Sequence, residues 1–210
     1  MRKMFLSALV LFCAAAVAQE LKPIPLPKPQ TSGGKPLMEA LAERKSSREF
    51  SGEKLSAQVL SNLLWAAFGI NRAGGYRTAP SAHNWQEIDI FVAMADGLFR
   101  YDAKAQALQP VASGDLRPLT GTQDFVGTAA LNLVYVADLA RTGGTPEEAG
   151  RFFAGVSAGA IAENVYLFCA SEGLAAVVRA SVDTAAFATA AKLGASQRVL
   201  IAQTVGYPKK

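Results

Sequence analysis

Apolar side chains recur along this chain in two rhythms, every third or fourth position where a helix buries a face and every second where a strand does. After Pro36, which suits a first helical turn, Leu37, Met38 and Leu41 predict a short helix that ends near Arg44. Ser56 reads as the N-cap of a second helix, with Val59, Leu60, Leu63, Leu64, Ala67 and Phe68 as its apolar stripe, Trp65 beside that stripe as a core residue, and Gly69 as its stop. Ile88, Ile90, Val92 and Met94 alternate as a strand does, a hairpin turns around Asp102 to Lys104, and AALNLVYVA at 129–137 reads as a buried strand. Thr145, Pro146 and Glu148 supply a capping hydroxyl, a first-turn proline and a carboxylate three residues after the cap, which predicts a helix running to about Glu172. Small residues at Ala154, Gly155, Ala158, Gly159 and Ala162 let another backbone approach that helix, in the core or across a subunit interface. A strand near AAVVRAS, a helix near Thr184 to Leu193 and a last strand VLIAQTVG complete the pattern.

Helices and strands follow one another without a βαβ rhythm and without an internal repeat, so the fold class is α+β. Half of the 210 residues are hydrophobic, enough for one domain with a substantial core. Residues 1–18 carry Arg2 and Lys3, an apolar run and the small-x-small Ala16-Val17-Ala18, and read as a removable export signal that makes the mature protein extracytoplasmic, as in a periplasm. The run is short for a membrane span, and Phe12 before Cys13 is too bulky for lipoprotein processing. Residues 19–36 hold five of the ten prolines and read as an extended arm, either a passive spacer or a strap along a partner subunit. Residues 37–210 form the folded domain.

Composition narrows the chemistry. Loss of Arg2 and Lys3 with the signal lowers the net charge from +4 to +2, too mild a balance to argue for nucleic acid. Cys13 leaves with the signal and Cys169 remains alone, so no internal disulfide supports the mature chain. His83 is the only histidine, which excludes multi-histidine metal sites and leaves Ser-His-Asp chemistry to a single ring. GGYR at 74–77 lacks the strand, glycine spacing and lysine of a phosphate loop. The unusual stretch is RKSSREF at 44–50, where three cations and two hydroxyls gather as a helix runs out. Two readings stand: solvent screens like charges on an exposed helix end, or an anion such as a phosphate sits among them.

Three separated segments then matter together: ERKSSREF at 43–50, RTAPSAHNWQEIDIFV at 77–92 and AENVYLFCASEGLAAVVRASVD at 162–183. In order and spacing they resemble the nitroreductase family of flavoproteins, and within it the branch that includes the SagB-type dehydrogenases, over about residues 37–208. The resemblance implies a mixed, mainly antiparallel sheet flanked by helices, and a homodimer with FMN at the subunit interface. By the same resemblance Arg44, Lys45 and Ser46 take the phosphate end of FMN, and Arg48 takes the N1/O2 edge of the ring, where a cation favours the anionic reduced form. Pro80, Ser81, Ala82 and Asn84 reach the flavin from the other subunit, Asn84 offering both a donor and an acceptor, while His83 lines the pocket rather than acting as an acid. Val178, Arg179, Ala180 and Ser181 pack against the ring near its reactive N5, and Gln123 is a further flavin contact. Arg179 has three readings: it holds an anionic substrate, stabilises reduced flavin, or pairs with a carboxylate. Many members continue past the final strand with a segment that crosses to the partner and brings more cations. Here GYPKK follows that strand, so Lys209 and Lys210 either substitute at the phosphate or form a solvated tail, and the proline-rich arm replaces part of the embrace.

The activity implied is that of an FMN-dependent oxidoreductase working in two half-reactions, with hydride passing through flavin N5 to or from a small organic substrate such as a nitro compound or quinone. Export makes NAD(P)H an awkward donor and predicts slow turnover with it, leaving a redox protein or the substrate itself to supply electrons. Two alternatives are a SagB-like dehydrogenase or oxidase of a peptide or small molecule, and a flavin-free exported binding domain. Substrate profiling and the colour of the purified protein tell them apart.

Overall fold

The computed structural model describes residues 21–210, so the expected export signal lies outside the described residues. In chain order the elements are β1 (Ile24–Pro25), α1 (Leu37–Glu43), α2 (Ala57–Phe68), the small hairpin β2 (Ile70–Arg72) and β3 (Tyr76–Arg77), β4 (Ile88–Met94), β5 (Gly97–Asp102), β6 (Ala107–Ser113), β7 (Leu131–Asp138), α3 (Glu147–Glu172), β8 (Ala175–Arg179), α4 (Thr184–Ala190) and β9 (Gln197–Gly206). Seven strands form the main sheet in the order β1-β6-β5-β4-β7-β9-β8, every neighbouring pair antiparallel. This is the expected α+β architecture.

Alternation along the central strands sends side chains to two cores. Ile88, Ile90 and Val92 of β4 join Leu131, Leu133 and Tyr135 of β7 beneath α2 and α3, while Phe91, Ala93, Val134 and Val136 face Phe187 and Ala191 at α4. Opposite residues share a face, and the register Phe91↔Val134 and Val92↔Leu133 keeps the two sets apart. The helix α2 starts as expected, with Ser56 Oγ accepting the Val59 N–H at 3.2 Å, a cap that contributes about 1 kcal/mol. Its stop at Gly69 has a steric cause: the backbone there is extended, and a Cβ would run into the Trp65 ring.

Three expectations change. Thr145 does not cap α3; Pro146 occupies the N-cap, and the Thr145 hydroxyl turns back to donate to the Thr142 carbonyl at 2.7 Å. The small residues of α3 divide between two faces, Ala154, Ala158 and Ala162 against the sheet and Gly155 and Gly159 on the outer side with exposed Phe152 and Val156. The described part of the arm also packs on its own subunit, which a passive spacer would not do. Ile24 and Pro25 pair with β6, Leu26 is buried, Ser61 Oγ donates to the Pro27 carbonyl, and Gln30 N–H and Lys35 N–H bond to Asn62 and Ser171. Prolines leave an extended segment short of donors, and the β6 edge and the polar outer positions of α2 and α3 supply the partners it still needs.

Candidate functional site

The cation run begins where α1 ends. Arg44 is the C-cap, its N–H closing on the Ala40 carbonyl, and the chain then leaves the helix as an irregular segment. Ser47 N–H donates to the Ala176 carbonyl of β8 at 2.9 Å, and Phe50 forms a bridge with Pro208. This lays residues 44–50 along the free edge of β8. Tyr166, on the buried stripe of α3, fixes the middle of the segment: its hydroxyl accepts the Val178 N–H at 2.8 Å and hydrogen-bonds Ser46 Oγ at 2.8 Å. The Arg44 guanidinium lies 5.3 Å from the centroid of the same ring, a cation–π contact. One tyrosine thus joins the cation run to the 178–181 segment. Sequence reading missed it; the available signal was a tyrosine on an apolar helix face, whose hydroxyl must find a partner once buried.

Of the four residues expected at this end, Arg44 and Ser46 meet at Tyr166, which also borders the space that Lys45 lines. With Ser47 and Glu49, Lys45 lines a cavity of about 380 Å³ that Lys209 also borders. Lys209 reaches it because its N–H donates to the Glu49 carbonyl. Arg44, Lys45 and Arg48 make no ion pair within 4.0 Å among the described residues. Three cations with exposed or half-exposed side chains therefore stand without a carboxylate.

At the end of β8 the chain passes from Val178 and Arg179 into Ala180 and Ser181. Ser181 Oγ accepts from Gln123 Nε2 at 2.6 Å, so two residues expected at the site from separate motifs meet. The other end of that amide, Gln123 Oε1, is buried without a hydrogen-bond partner. Of the three roles that the charge of Arg179 suggested in the sequence, pairing with a carboxylate is the one the geometry overturns. Arg179 is 6% exposed, and Nε donates to Thr204 Oγ1 (2.9 Å), Nη1 to the Thr120 carbonyl (2.6 Å) and Nη2 to Asn132 Oδ1 (2.9 Å). These acceptors are all neutral, and among the described residues no carboxylate lies within ion-pair distance of it. Burial pushes its pKa down to about 10. Gly121 backs the guanidinium with extended backbone, and a Cβ there would collide with Nη1.

Residues 80–86 form a third group on a different surface. A 3₁₀ turn spans Ala82–Asn84, and His83, Asn84 and Gln86 all have positive φ (49°, 55° and 50°), costly conformations for residues with a Cβ. Gln86, also missed in the sequence, holds the turn. Its side chain accepts from Arg77 Nε at 2.8 Å and donates to the Gly75 carbonyl and Asn84 Oδ1, while its N–H donates to Ser81 Oγ. Pro80, His83 and Asn84 are exposed, with Ser81 and Ala82 half-buried. His83 stacks on Trp85 at 5.0 Å, and Trp85 meets Phe153 of α3 edge-on at 5.8 Å. Among the described residues no hydrogen bond or ion pair joins 80–84 to 44–48 or to 178–181. The structure brings the first and third motifs together and leaves the second apart. It places no three or more His, Cys, Asp or Glu side chains so as to hold a metal among the described residues.

With this geometry in view, similarity to known proteins is specific. Residues 41–207 match the family model described as the nitroreductase family. A nitroreductase candidate of Methanocaldococcus jannaschii is 28% identical over 151 residues, 67% of this chain and 76% of that one. The crystal structure of another nitroreductase candidate, from Ralstonia eutropha JMP134, superposes with a TM-score of 0.86 at 44% identity and covers 93% of each chain. The NADPH:FMN oxidoreductase of Vibrio harveyi, solved with NAD+, shares the fold at a TM-score of 0.61 and 19% identity, over 83% of this chain and 69% of that one.

Proposed function

The chain belongs to the nitroreductase family and is an oxidoreductase, and on that premise we propose that it binds FMN between the cation run and the end of β8. The observation that carries this reading is the set of three unpaired cations, Arg44, Lys45 and Arg48, beside a serine that Tyr166 anchors to Val178. Guanidinium and ammonium groups with no carboxylate of their own suit a phosphate dianion. Gln123 Oε1 suits the ring end of the same ligand, because a buried amide oxygen without a donor matches the N–H that a flavin ring presents on its pyrimidine edge. When bound, FMN supplies the redox chemistry, accepting a hydride at N5 from a donor and returning it to an acceptor.

The chain's own residues divide the remaining work. Arg44 and Ser46, held by Tyr166, take the phosphate end; Lys45 and Lys209, on the cavity side of the same segment, add charge to it. Arg48 would supply a cation to the pyrimidine edge, and the backbone at Val178, Ala180 and Ser181 would pack against the ring. Pro80, Ser81, Ala82 and Asn84 come from a second copy. That assignment rests on their exposure, on their separation from the other motifs, and on the apolar surface beside them, where Phe152 is 67% and Val156 58% exposed. The proposed reaction alternates an electron donor and a small organic acceptor at one site. The leader-like residues 1–18 favour an extracytoplasmic setting, in which NAD(P)H serves poorly as donor.

A visible absorption spectrum before and after addition of FMN tests the reading, with Arg44→Ala and Arg48→Ala alongside. Flavin bands that survive gel filtration in the wild type and weaken in both variants support it. A wild type that stays colourless at saturating FMN overturns it, and fast steady-state NAD(P)H oxidation overturns the donor assignment alone.

A further inference from the structure

A buried guanidinium with only neutral partners is a costly arrangement, because every hydrogen bond it makes leaves its charge uncompensated. Arg179 sits in such a place, and its partners form a connected set. Thr204 Oγ1 accepts from Arg179 Nε and donates to Asn132 Oδ1 at 2.6 Å, and that same oxygen accepts Arg179 Nη2. Asn132 Nδ2 in turn donates to the Val126 carbonyl at 2.9 Å. With Nη1 on the Thr120 carbonyl, the network grips the 120–126 segment at both ends, one end by arginine and the other by asparagine. Gln123 lies between the two grips, tethered through Nε2 to Ser181 and offering a buried Oε1 with no donor of its own. Gly121 completes the fit, since any side chain there would displace the guanidinium.

We infer that Arg179 is a positioning residue for the ring end of the flavin site: it fixes the 120–126 segment so that Gln123 presents its amide oxygen, and it keeps a positive charge in that wall which favours the reduced, anionic cofactor. The inference rests on the FMN reading above and assigns a role within it. Arg179 touches neither cofactor nor substrate through its side chain; it acts through Thr120, Gly121 and Gln123. The two parts of its role separate by chemistry. A lysine keeps the charge but cannot fork to three acceptors, and a methionine keeps much of the volume but loses both.

The test measures FMN affinity by fluorescence titration, and the midpoint potential of bound flavin by anaerobic dithionite reduction against a reference dye, on the full-length protein. Arg179→Met is expected to weaken binding of oxidised FMN at least tenfold. It is also expected to lower the reduced-to-oxidised affinity ratio about tenfold, which for a two-electron couple is about 30 mV. Arg179→Lys is expected to lose the affinity while holding the potential close to wild type, and Gly121→Ala, which displaces the guanidinium without removing its charge, to behave like the lysine variant. Circular dichroism and thermal melting establish that each variant is folded. A folded Arg179→Met protein with wild-type affinity and potential overturns the inference and leaves a purely structural arginine. If the methionine variant does not fold, wild-type affinity in either other variant overturns it equally. A wild type that binds no FMN removes the cofactor reading and this inference with it, whereas a wild type that binds FMN beside indifferent variants removes this inference alone.

Discussion

Two side-chain amides, Asn132 and Gln86, each join three partners, yet they serve opposite kinds of structure. Asn132 is wholly buried in β7 and connects a strand, an arginine and a loop that are far apart in sequence. Gln86 is half-exposed and connects Arg77, Gly75 and Asn84, all within eleven residues of itself. The first brings distant segments into a fixed wall, and water cannot replace its bonds. The second holds a strained local turn at the surface, where water competes for every bond. The wall around β8 is therefore completed within one chain, while the 80–86 turn is shaped in advance and presented outward.

Substitutions break or sharpen this contrast, and their sizes should follow burial rather than the number of bonds removed. Asn132→Leu should have the largest effect, about 3 kcal/mol of unfolding free energy in urea, because it strands an arginine donor, a threonine hydroxyl and a carbonyl without water. A loss under about 1 kcal/mol would mean that solvent reaches the network, and the contrast with Gln86 would fail. Tyr166→Phe should cost about 2 kcal/mol, since Val178 N–H loses its acceptor at a part-buried position, and it should also weaken FMN uptake by freeing Ser46. Gln86→Ala, which removes the same number of bonds as Asn132→Leu, should cost only about 1 kcal/mol by the same measurement. Gly159→Ala should have the smallest effect and the opposite sign. Nothing lies within 4 Å of a Cβ there, so helix propensity should stabilise a monomer by about 0.5–1 kcal/mol. If a second copy packs on that face, sedimentation should show weaker self-association in the same variant.

Much of the fold was legible because local signals and tertiary demands agree. The alternation in β4, the apolar run of β7, the Ser56 cap and the stripe of α2 are each local signals that the fold obeys. The Thr145 cap misled because a proline after a hydroxyl residue fits either of two helix starts, one residue apart. The site was legible only in part, for a physical reason. Ser46 and Tyr166 are 120 positions apart, and Arg179 and Thr120 are 59, so no window along the chain contains both partners. Arg179 announces charge in the sequence but not that the charge is turned inward. Asn132, inside an apolar run, looks like an interruption of a strand until the arginine that needs it is seen.

The placement of the arm has a further consequence, for how this molecule meets others. An antiparallel sheet ordinarily ends in two rows of unpaired amides on which any extended chain can grow. At one border β1 covers β6 with a segment carrying Pro23, Pro25 and Pro27, which have no N–H to offer a newcomer. At the other, β8 meets Ser47 and the charged run around it. Both borders thus carry a device against strand addition, prolines at one and a charged run at the other, which disfavours edge pairing by another copy or a misfolded neighbour.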